Sequence, residues 1–201
     1  MRNDDPASVR EFFAARADTW DTKYPDDTPA YEAAVAELGL RAGESALDAG
    51  CGTGRALPAL RAAVGASGRV IGADLTPEML RVAARAGRDR AALLVEAEAG
   101  RLPLRARSVD AVFAAGLVHH LPDPAAGLRE FARVARPGAR LALFHPLGRA
   151  ALAARRGYTL TPDDVRDEPN LRPLLTGSGW ELSVFDDGDD RYLALAVRTA
   201  D

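Results

Sequence analysis

Three glycines alternate with other residues in Leu47-Asp48-Ala49-Gly50-Cys51-Gly52-Thr53-Gly54. This segment follows an apolar run and precedes a helical pattern, which predicts a turn from a β-strand into an α-helix. Glycine adopts positive φ without strain and has no Cβ to keep a ligand away. In an open parallel sheet such a turn lies at the carboxyl edge, where ligands bind. We therefore expect a ligand site at this loop; a tight turn without a ligand is the alternative.

The spacing of the glycines argues against a dinucleotide. The dinucleotide fingerprint is G-x-G-x-x-G, with the pyrophosphate at the helix N-terminus. Counting six positions from Gly50 leads to Arg55, and counting from Gly52 leads to Leu57, so neither frame fits. Asp48 precedes the loop by two residues, and its carboxylate would repel a pyrophosphate. The same carboxylate suits a ligand that carries an ammonium group.

A second acidic residue, Asp74, follows the apolar run Val70-Ile71-Gly72-Ala73, twenty residues after Gly54. A carboxylate at the end of the second strand can accept hydrogen bonds from both hydroxyls of a ribose. The alternative is a structural role before a helix that begins near Thr76, the predicted N-cap. Its position directly after a buried strand favours the ribose role.

Short apolar runs alternate with helical patterns from residue 44 onward, which predicts a doubly wound sheet with right-handed crossovers. The predicted strands are 45–48, 69–74, 91–97, 109–115 and 140–144, and the predicted helices are 55–64, 77–86 and 123–135, the last closed by Pro137-Gly138. Two further alternating runs, 180–185 and 192–198, are joined by an acidic turn at 186–190 and predict an antiparallel hairpin. The expected fold is α/β, Rossmann-like and mostly parallel, ending in that hairpin.

The flanking segments are less regular in pattern. A helix is predicted from Pro6, because Asp5 is suited to the N-cap and proline to the first helical position. A second helix is predicted from Pro29 to Leu38, after an aromatic and acidic loop at 19–27. Residues 146–169 are predicted to be irregular or weakly helical.

Composition narrows the functional classes. The chain has 201 residues, 47% hydrophobic and 27% charged, with a net charge of -3 and one cysteine, so no intrachain disulfide can form. No basic block favours nucleic acid or an anionic membrane. No apolar run reaches the roughly 18 residues that a membrane span needs, and the first residues hold no apolar signal core. We expect a cytoplasmic protein with neither nucleic acid nor a membrane as partner.

Six segments together resemble the class I S-adenosylmethionine (SAM)-dependent methyltransferases, in family order. They are residues 46–54, 72–80, 97–103, 108–112, 117–123 and 128–138. The resemblance implies a seven-stranded fold, SAM as the cofactor and methyl transfer to a small molecule. The expected organisation is one domain over residues 1–201, with an N-terminal helical cap at 1–43, a SAM-binding core at 44–145, and an acceptor-side segment with the terminal hairpin at 146–201.

The resemblance also implies which residues bind the cofactor. Asp48 and Gly50 would hold its methionine end, while Gly52 and Gly54 would let it approach the backbone. The remaining implied contacts are Asp74 to the ribose, Leu75 and Met79 packed on the adenine or ribose, Glu98 to the adenine amino group, the Ala99 N–H to adenine N1, and Ala115. Glu98 stands where the family usually has Asp, which adds one methylene to that contact.

Three histidines follow the fourth and fifth strands, at the edge expected to face the methyl group. His119 and His120 are the candidate catalytic residues, because histidine can serve as a base near neutral pH. A structural role is the alternative for both. No metal site is expected, since adjacent histidine side chains diverge. The acceptor candidates are Trp20, Tyr24 and His145, followed by Tyr31, Arg149, Arg155, Arg156 and Tyr158; Phe13 is expected to pack the first helix onto the sheet.

Other functions remain open on the sequence. A nicotinamide-dependent oxidoreductase is disfavoured by the glycine spacing and by Asp48. A nucleic-acid amino methylase would carry a D/N-P-P-Y/F-like motif after the fourth strand, where Ala115-Gly116-Leu117-Val118 stands instead. A non-catalytic module that binds SAM or a partner is the main alternative to an enzyme. The acceptor, the atom that is methylated and the oligomeric state are not determined by the sequence.

Overall fold

A seven-stranded sheet forms the centre of the computed structural model, which describes residues 5–23 and 27–200. The strands are β1 Ser45–Ala49, β2 Arg69–Asp74, β3 Leu93–Glu96, β4 Val109–Ala115, β5 Ala135–His145, β6 Trp180–Asp187 and β7 Tyr192–Arg198. Their order across the sheet is β3-β2-β1-β4-β5-β7-β6. Strands β1 to β5 run parallel, and β7 runs antiparallel to β5 and β6. The predicted Rossmann-like sheet and its terminal hairpin are therefore confirmed.

Short helices connect and cover the strands. They are α1 Pro6–Ala14, α2 Trp20–Lys23, α3 Thr28–Glu37, α4 Leu57–Val64, α5 Pro77–Arg85, α6 Pro124–Val134, α7 Arg149–Arg156 and α8 Glu168–Thr176. Asp5 and Asp123 accept backbone hydrogen bonds at the starts of α1 and α6, as good N-caps do. Thr76 occupies the N-cap position of α5, as predicted, although its hydroxyl makes no capping hydrogen bond. Among the described helices, none is both long and apolar enough to cross a bilayer.

The core lies on both faces of the sheet, because successive side chains of a strand point to opposite faces. In β4, Val112 packs with the cluster under α6 and α8, which includes Phe131 and Trp180. Its neighbour Phe113 packs with the opposite cluster, under α3 and α4. Burial on both faces explains why the parallel strands are continuous apolar runs in the sequence.

The turn between α6 and β5 differs from the prediction. Pro137-Gly138 was expected to close the helix, but α6 ends at Val134 and β5 begins at the next residue. The dipeptide lies inside β5, where the pairing with β4 shifts register between Val109 and Ala111. A register shift admits a proline without a ladder hydrogen bond and a glycine with φ of 78°.

The loop predicted at 19–27 is partly helical, and the segment 146–169, predicted to be irregular or weakly helical, contains a helix. Residues 17–23 form a short 3₁₀ turn followed by α2, rather than a loop. Within 146–169, α7 occupies Arg149–Arg156 and ends at Gly157, whose φ is 69°. Tertiary contacts fix both segments, and the sequence pattern around them is too short to reveal them.

Candidate active site

A cavity of about 370 Å³ opens at the carboxyl edge of β1, β2, β4 and β5. The strand order places β1 between β2 and β4, so the chain runs outward in opposite directions on the two sides of β1. Ligands of open α/β sheets usually bind where the strand order reverses in this way. The volume is that of a small-molecule site. The predicted residues that line it are Trp20, Asp48, Gly50, Gly52, Asp74, Leu75, Met79, Glu98, Ala99, Ala115, His119, His120 and His145.

The three loop glycines have different surroundings, although all have positive φ. A Cβ added to Gly52 would meet no atom within 4 Å, so the side chain would project into open space at the cavity wall. A Cβ on Gly50 would lie 2.8 Å from Leu117 Cδ1. Gly54 does not line the cavity, and its Cβ would lie 2.7 Å from Leu57 Cδ1. The lack of a side chain at Gly54 therefore allows α4 to pack closely, and its expected contact with the cofactor stays a prediction.

The Asp74 carboxylate holds the glycine loop at the end of β2. Its Oδ2 accepts a 2.7 Å hydrogen bond from the N–H of Gly52, and its Oδ1 accepts a 2.8 Å bond from the N–H of Thr76. Burial raises the pKa of Asp74, and these two N–H groups offset part of that rise. Each carboxylate oxygen has a further lone pair, so Asp74 can also accept hydrogen bonds from a ligand.

Asp48 is a buried carboxylate that lacks a donor. Its side chain is 2% exposed and faces the cavity, and no group within residues 5–23 and 27–200 donates a hydrogen bond to it. Burial raises the pKa of Asp48 well above its usual value, and the charge of Asp74 raises it further. A buried, unpaired carboxylate is costly unless a cation or donor compensates it. This end of the cavity is therefore suited to a positively charged ligand.

The adenine-side candidates line the same cavity. Met79 is buried on α5, while Glu98 is exposed beyond the end of β3, in a turn that bridges to Arg101. Leu75 and Ala99 also line the cavity. The arrangement gives an apolar slot with one acidic residue at its rim.

The three histidines cluster at the other end. The ring centroids of His119 and His120 are 4.1 Å apart. The Nδ1 atom of His119 is buried and has no hydrogen-bond partner among the described residues. Burial lowers the pKa of His120 and of His145 to about 4, and it lowers that of His119 well below its usual value. All three rings are neutral at physiological pH.

The acceptor candidates divide into two groups. Trp20 and Tyr31 line the cavity, as does Phe13, whose ring meets His120 edge-on at 5.3 Å. Phe13 also contacts Trp20, at a centroid distance of 5.5 Å, so it forms part of the wall as well as packing α1. Tyr24 lies outside the described residues.

Among the acceptor-side arginines, Arg156 lines the cavity, whereas Arg155, like Tyr158, does not. Arg149 was a further candidate, but it is directed away from the site. Its guanidinium contacts Asp187 at 2.8 Å and Asp167 at 2.7 Å, so its role is to anchor α7.

A cluster that the sequence did not reveal joins the N-terminal segment to the glycine loop. Asp21 Oδ1 accepts hydrogen bonds from the Thr53 hydroxyl at 2.7 Å and from Arg55 Nε at 3.2 Å. Asp21 Oδ2 accepts a 2.7 Å bond from Arg88 Nη1, which also donates to the Thr53 carbonyl. We call these four residues the Asp21 cluster. Its members are distant in sequence, and no local pattern relates them.

Comparison with known proteins agrees with this geometry. The family described as "Methyltransferase domain" matches residues 47–143. A demethylmenaquinone methyltransferase of Roseiflexus sp. is 34% identical over 160 residues, which cover 67% of this chain and 67% of that protein. The 27-O-demethylrifamycin SV methyltransferase of Amycolatopsis mediterranei is 39% identical over 110 residues, covering 53% of this chain and 40% of that protein.

A solved structure extends the similarity to nearly the whole chain. The SAM-dependent methyltransferase from Aquifex aeolicus is 26% identical, with a TM-score of 0.70 over 97% of this chain and 99% of that one. The chain spans only part of the length of the curated relatives it matches, between 32% and 67% in four of them. The glycine loop, the carboxylates Asp48 and Asp74 and these similarities lead to one conclusion: the chain belongs to the class I SAM-dependent methyltransferases, a family of enzymes whose cofactor is SAM.

Proposed function

We propose that this protein transfers a methyl group from SAM to a small-molecule acceptor that binds at the histidine end of the cavity. One observation carries the proposal. A single cavity combines two carboxylates, the buried Asp48 and the half-buried Asp74, with a separate cluster of neutral imidazoles. The first end suits a cationic cofactor, and the second suits an uncharged or anionic nucleophile.

The residues at the carboxylate end fit SAM. Asp48 lacks a donor and would bind the ammonium group of the methionine end, beside Gly50. Gly52 leaves open the space that any Cβ would fill. Asp74 would accept hydrogen bonds from the ribose. When bound, SAM supplies an electrophilic methyl group on a sulfonium cation, whose charge the two carboxylates match.

The adenine would lie in the slot on the other side of this end. Leu75 and Met79 would pack against its faces, and Glu98 would accept from its amino group, with the Ala99 N–H donating to the ring. Ala115 lies at the end of β4, between this end and the histidines. Its small side chain leaves room for the reacting groups.

The histidines would orient the acceptor more than deprotonate it. A general base works best with a pKa near the working pH, and the pKa of His120 is lowered to about 4. His120 is neutral and can accept a hydrogen bond from an acceptor O–H or N–H, which aligns the nucleophile. His145 Nδ1 lies 2.9 Å from the Leu147 carbonyl oxygen and 3.0 Å from the Leu147 nitrogen, so the backbone engages Nδ1 and Nε2 is the ring nitrogen left to hydrogen-bond the acceptor.

Aromatic residues of the N-terminal segment would cover the acceptor. Phe13 and Trp20 are on the wall beside His120 and can exclude water from the reacting groups. A small-molecule acceptor is supported by the relatives, which are named for demethylmenaquinone and for demethylrifamycin SV. The cavity volume is compatible with this class of acceptor.

Calorimetry on the purified protein tests the cofactor first. The demethylated product, S-adenosylhomocysteine (SAH), should bind in the micromolar range, about -8 kcal/mol, and NAD should not compete. A screen of metabolite extracts with methyl-labelled SAM then tests transfer. Phe13→Ala should reduce transfer more than SAH affinity, while Phe12→Ala, outside the cavity, should change neither. Tight NAD binding without SAH binding would contradict the proposal.

A further inference from the structure

Charged residues of both signs line the cavity. They include Glu98, beside the adenine-side candidates, and Asp123, which caps α6 and lies 3.9 Å from Arg129. Asp48 and Asp74 lie at the cofactor end, whereas Arg156 lies at the acceptor end, on the last turn of α7. Arg55 also lines the cavity, but Asp21 and Asp27 neutralise it at 3.2 and 3.3 Å. Arg156 is exposed and has no acidic partner within residues 5–23 and 27–200. It therefore gives the acceptor end a cation that the described part of the chain does not neutralise.

The histidines beside Arg156 do not provide positive charge themselves. Burial is the main cause that lowers the pKa of His119, His120 and His145, and the charge of Arg156 contributes to the shift at all three. Arg166 contributes at all three as well, but it does not line this cavity and is paired with Asp164 at 2.9 Å.

The helix that carries Arg156 is fixed at its other end. The Arg149 backbone N–H donates to Asp187 Oδ1 at 2.7 Å, and its guanidinium donates to Asp187 Oδ2 and to Asp167. A Cβ on Gly148 would lie 1.6 Å from the Gly188 carbonyl oxygen, so the start of α7 is packed tightly against the β6–β7 turn. This anchoring sets the direction from which Arg156 approaches the cavity.

We propose that Arg156 binds an anionic oxygen of the acceptor, and that the enzyme selects acceptors that carry a carboxylate or an ionised hydroxyl. The proposal rests on the proposed function. A guanidinium pairs with a carboxylate through two parallel N–H···O bonds, and it stabilises an oxyanion in the same way. Neutral histidines beside it accept or donate hydrogen bonds without competing for the anion. A simpler role for Arg156, to complement the C-terminus of α7, would be shared by Arg155.

Matched probes distinguish these roles. The SAH-loaded protein is titrated by NMR with naphthoate and with its primary amide, which share an aromatic body and differ in charge. We expect naphthoate to bind about fivefold to tenfold more tightly. Arg156→Gln should abolish the preference and Arg156→Lys should keep most of it. Arg155→Gln, which changes a neighbouring exposed arginine outside the cavity, should leave it intact.

A second pair of measurements identifies the source of the anionic oxygen. Naphthol is titrated at neutral pH and at alkaline pH, where its hydroxyl ionises. A preference for naphthoate alone supports a carboxylate on the acceptor, and a preference for ionised naphthol alone supports an ionised nucleophile. Preference for both supports a general anion site. Equal binding within both pairs, a preference that survives in Arg156→Gln, or no binding at millimolar concentration overturns the proposal.

The two proposals fail separately. SAH binding is measured before the probes are added, and its absence contradicts the proposed function. The same probe pairs are also titrated into protein without SAH, so the role of Arg156 is decided in either case. Normal SAH binding together with no charge preference contradicts the role of Arg156 alone.

Discussion

The Asp21 carboxylate accepts a 2.7 Å hydrogen bond from the hydroxyl of Thr53, across 32 positions of sequence. This bond joins α2 to the glycine loop. Burial raises the pKa of Asp21, but hydrogen bonds from Thr53 and Arg88 outweigh burial and hold the pKa below its usual value. The carboxylate is thus ionised and paired, and the N-terminal cap is attached to the loop that would bind the cofactor.

Removing this attachment should weaken cofactor binding. In Asp21→Ala the Thr53 hydroxyl and Arg88 lose a shared acceptor, which should cost about 1–3 kcal/mol of unfolding free energy. We expect SAH affinity to fall by about threefold to tenfold, measured by calorimetry. Asp18→Ala is the control, because Asp18 pairs with Arg85 on the exposed surface of the same segment. Equal effects of the two substitutions would show that the Asp21 cluster has no special role.

Asp74→Ala should reduce SAH affinity by more than the ribose hydrogen bonds alone. Those bonds account for about 1.5–3 kcal/mol, and the substitution also releases the Gly52 N–H that Asp74 holds at 2.7 Å. Asp110→Ala is the matched control. Asp110 likewise accepts a backbone hydrogen bond, from Ser45 at the amino end of β1, and lies outside the cavity. The Asp110→Ala variant should lower stability without changing SAH affinity. Unchanged SAH affinity in Asp74→Ala would mean that Asp74 does not bind the ribose.

Gly52→Val should abolish SAH binding, whereas Gly87→Val should not. Both glycines have positive φ, 55° and 73°, and neither would bring a Cβ within 4 Å of another atom. Backbone strain should therefore be similar, about 1–2 kcal/mol each in unfolding experiments. Only Gly52 lines the cavity, so only there does a side chain occupy ligand space. Glu98→Gln should weaken SAH binding less than Gly52→Val does. Normal SAH binding by Gly52→Val would show that the glycines serve only to form the turn.

The histidine cluster should make the protein sensitive to mild acid. The folded-state pKa of His120 and of His145 is about 4, below the ordinary 6.5. Between these values the unfolded chain binds protons that the folded protein does not, so stability is full above about pH 6.5 and declines as pH falls toward 4. Each histidine accounts for at most about 3 kcal/mol.

Urea unfolding at neutral pH and at about pH 5 measures this loss. Asp48 and Asp74 have raised pKa values, so their contribution has the opposite sign and disappears as pH rises. Comparison of wild type with the double variant His120→Gln, His145→Gln therefore isolates the histidines. The variant should lose less stability on acidification than wild type. Identical losses would show that the rings are not neutral and buried in solution.

The sequence alone determined the core of the fold and which residues meet at the carboxylate end of the cavity. Apolar runs that alternate with helical patterns predicted the strands of the parallel sheet, because strands buried on both faces must be apolar along their length. Asp48, the glycine loop and Asp74 were found for a related reason. In a parallel sheet the residues that follow each strand meet at one edge, so local position in the chain already specifies position in the site.

The tertiary structure decided the rest. Nothing local predicted that Asp21 would meet Thr53 and Arg88, or that Arg149 would anchor α7 while Arg156 lines the cavity. The sequence also did not predict that Gly54 allows α4 to pack closely. These features depend on contacts between segments far apart in the chain, whose partners are selected by charge and shape after the sheet has formed. The residue pattern of one segment does not indicate which distant segment it will contact. The periodicity of apolar residues along a strand, in contrast, does indicate which of its faces are buried.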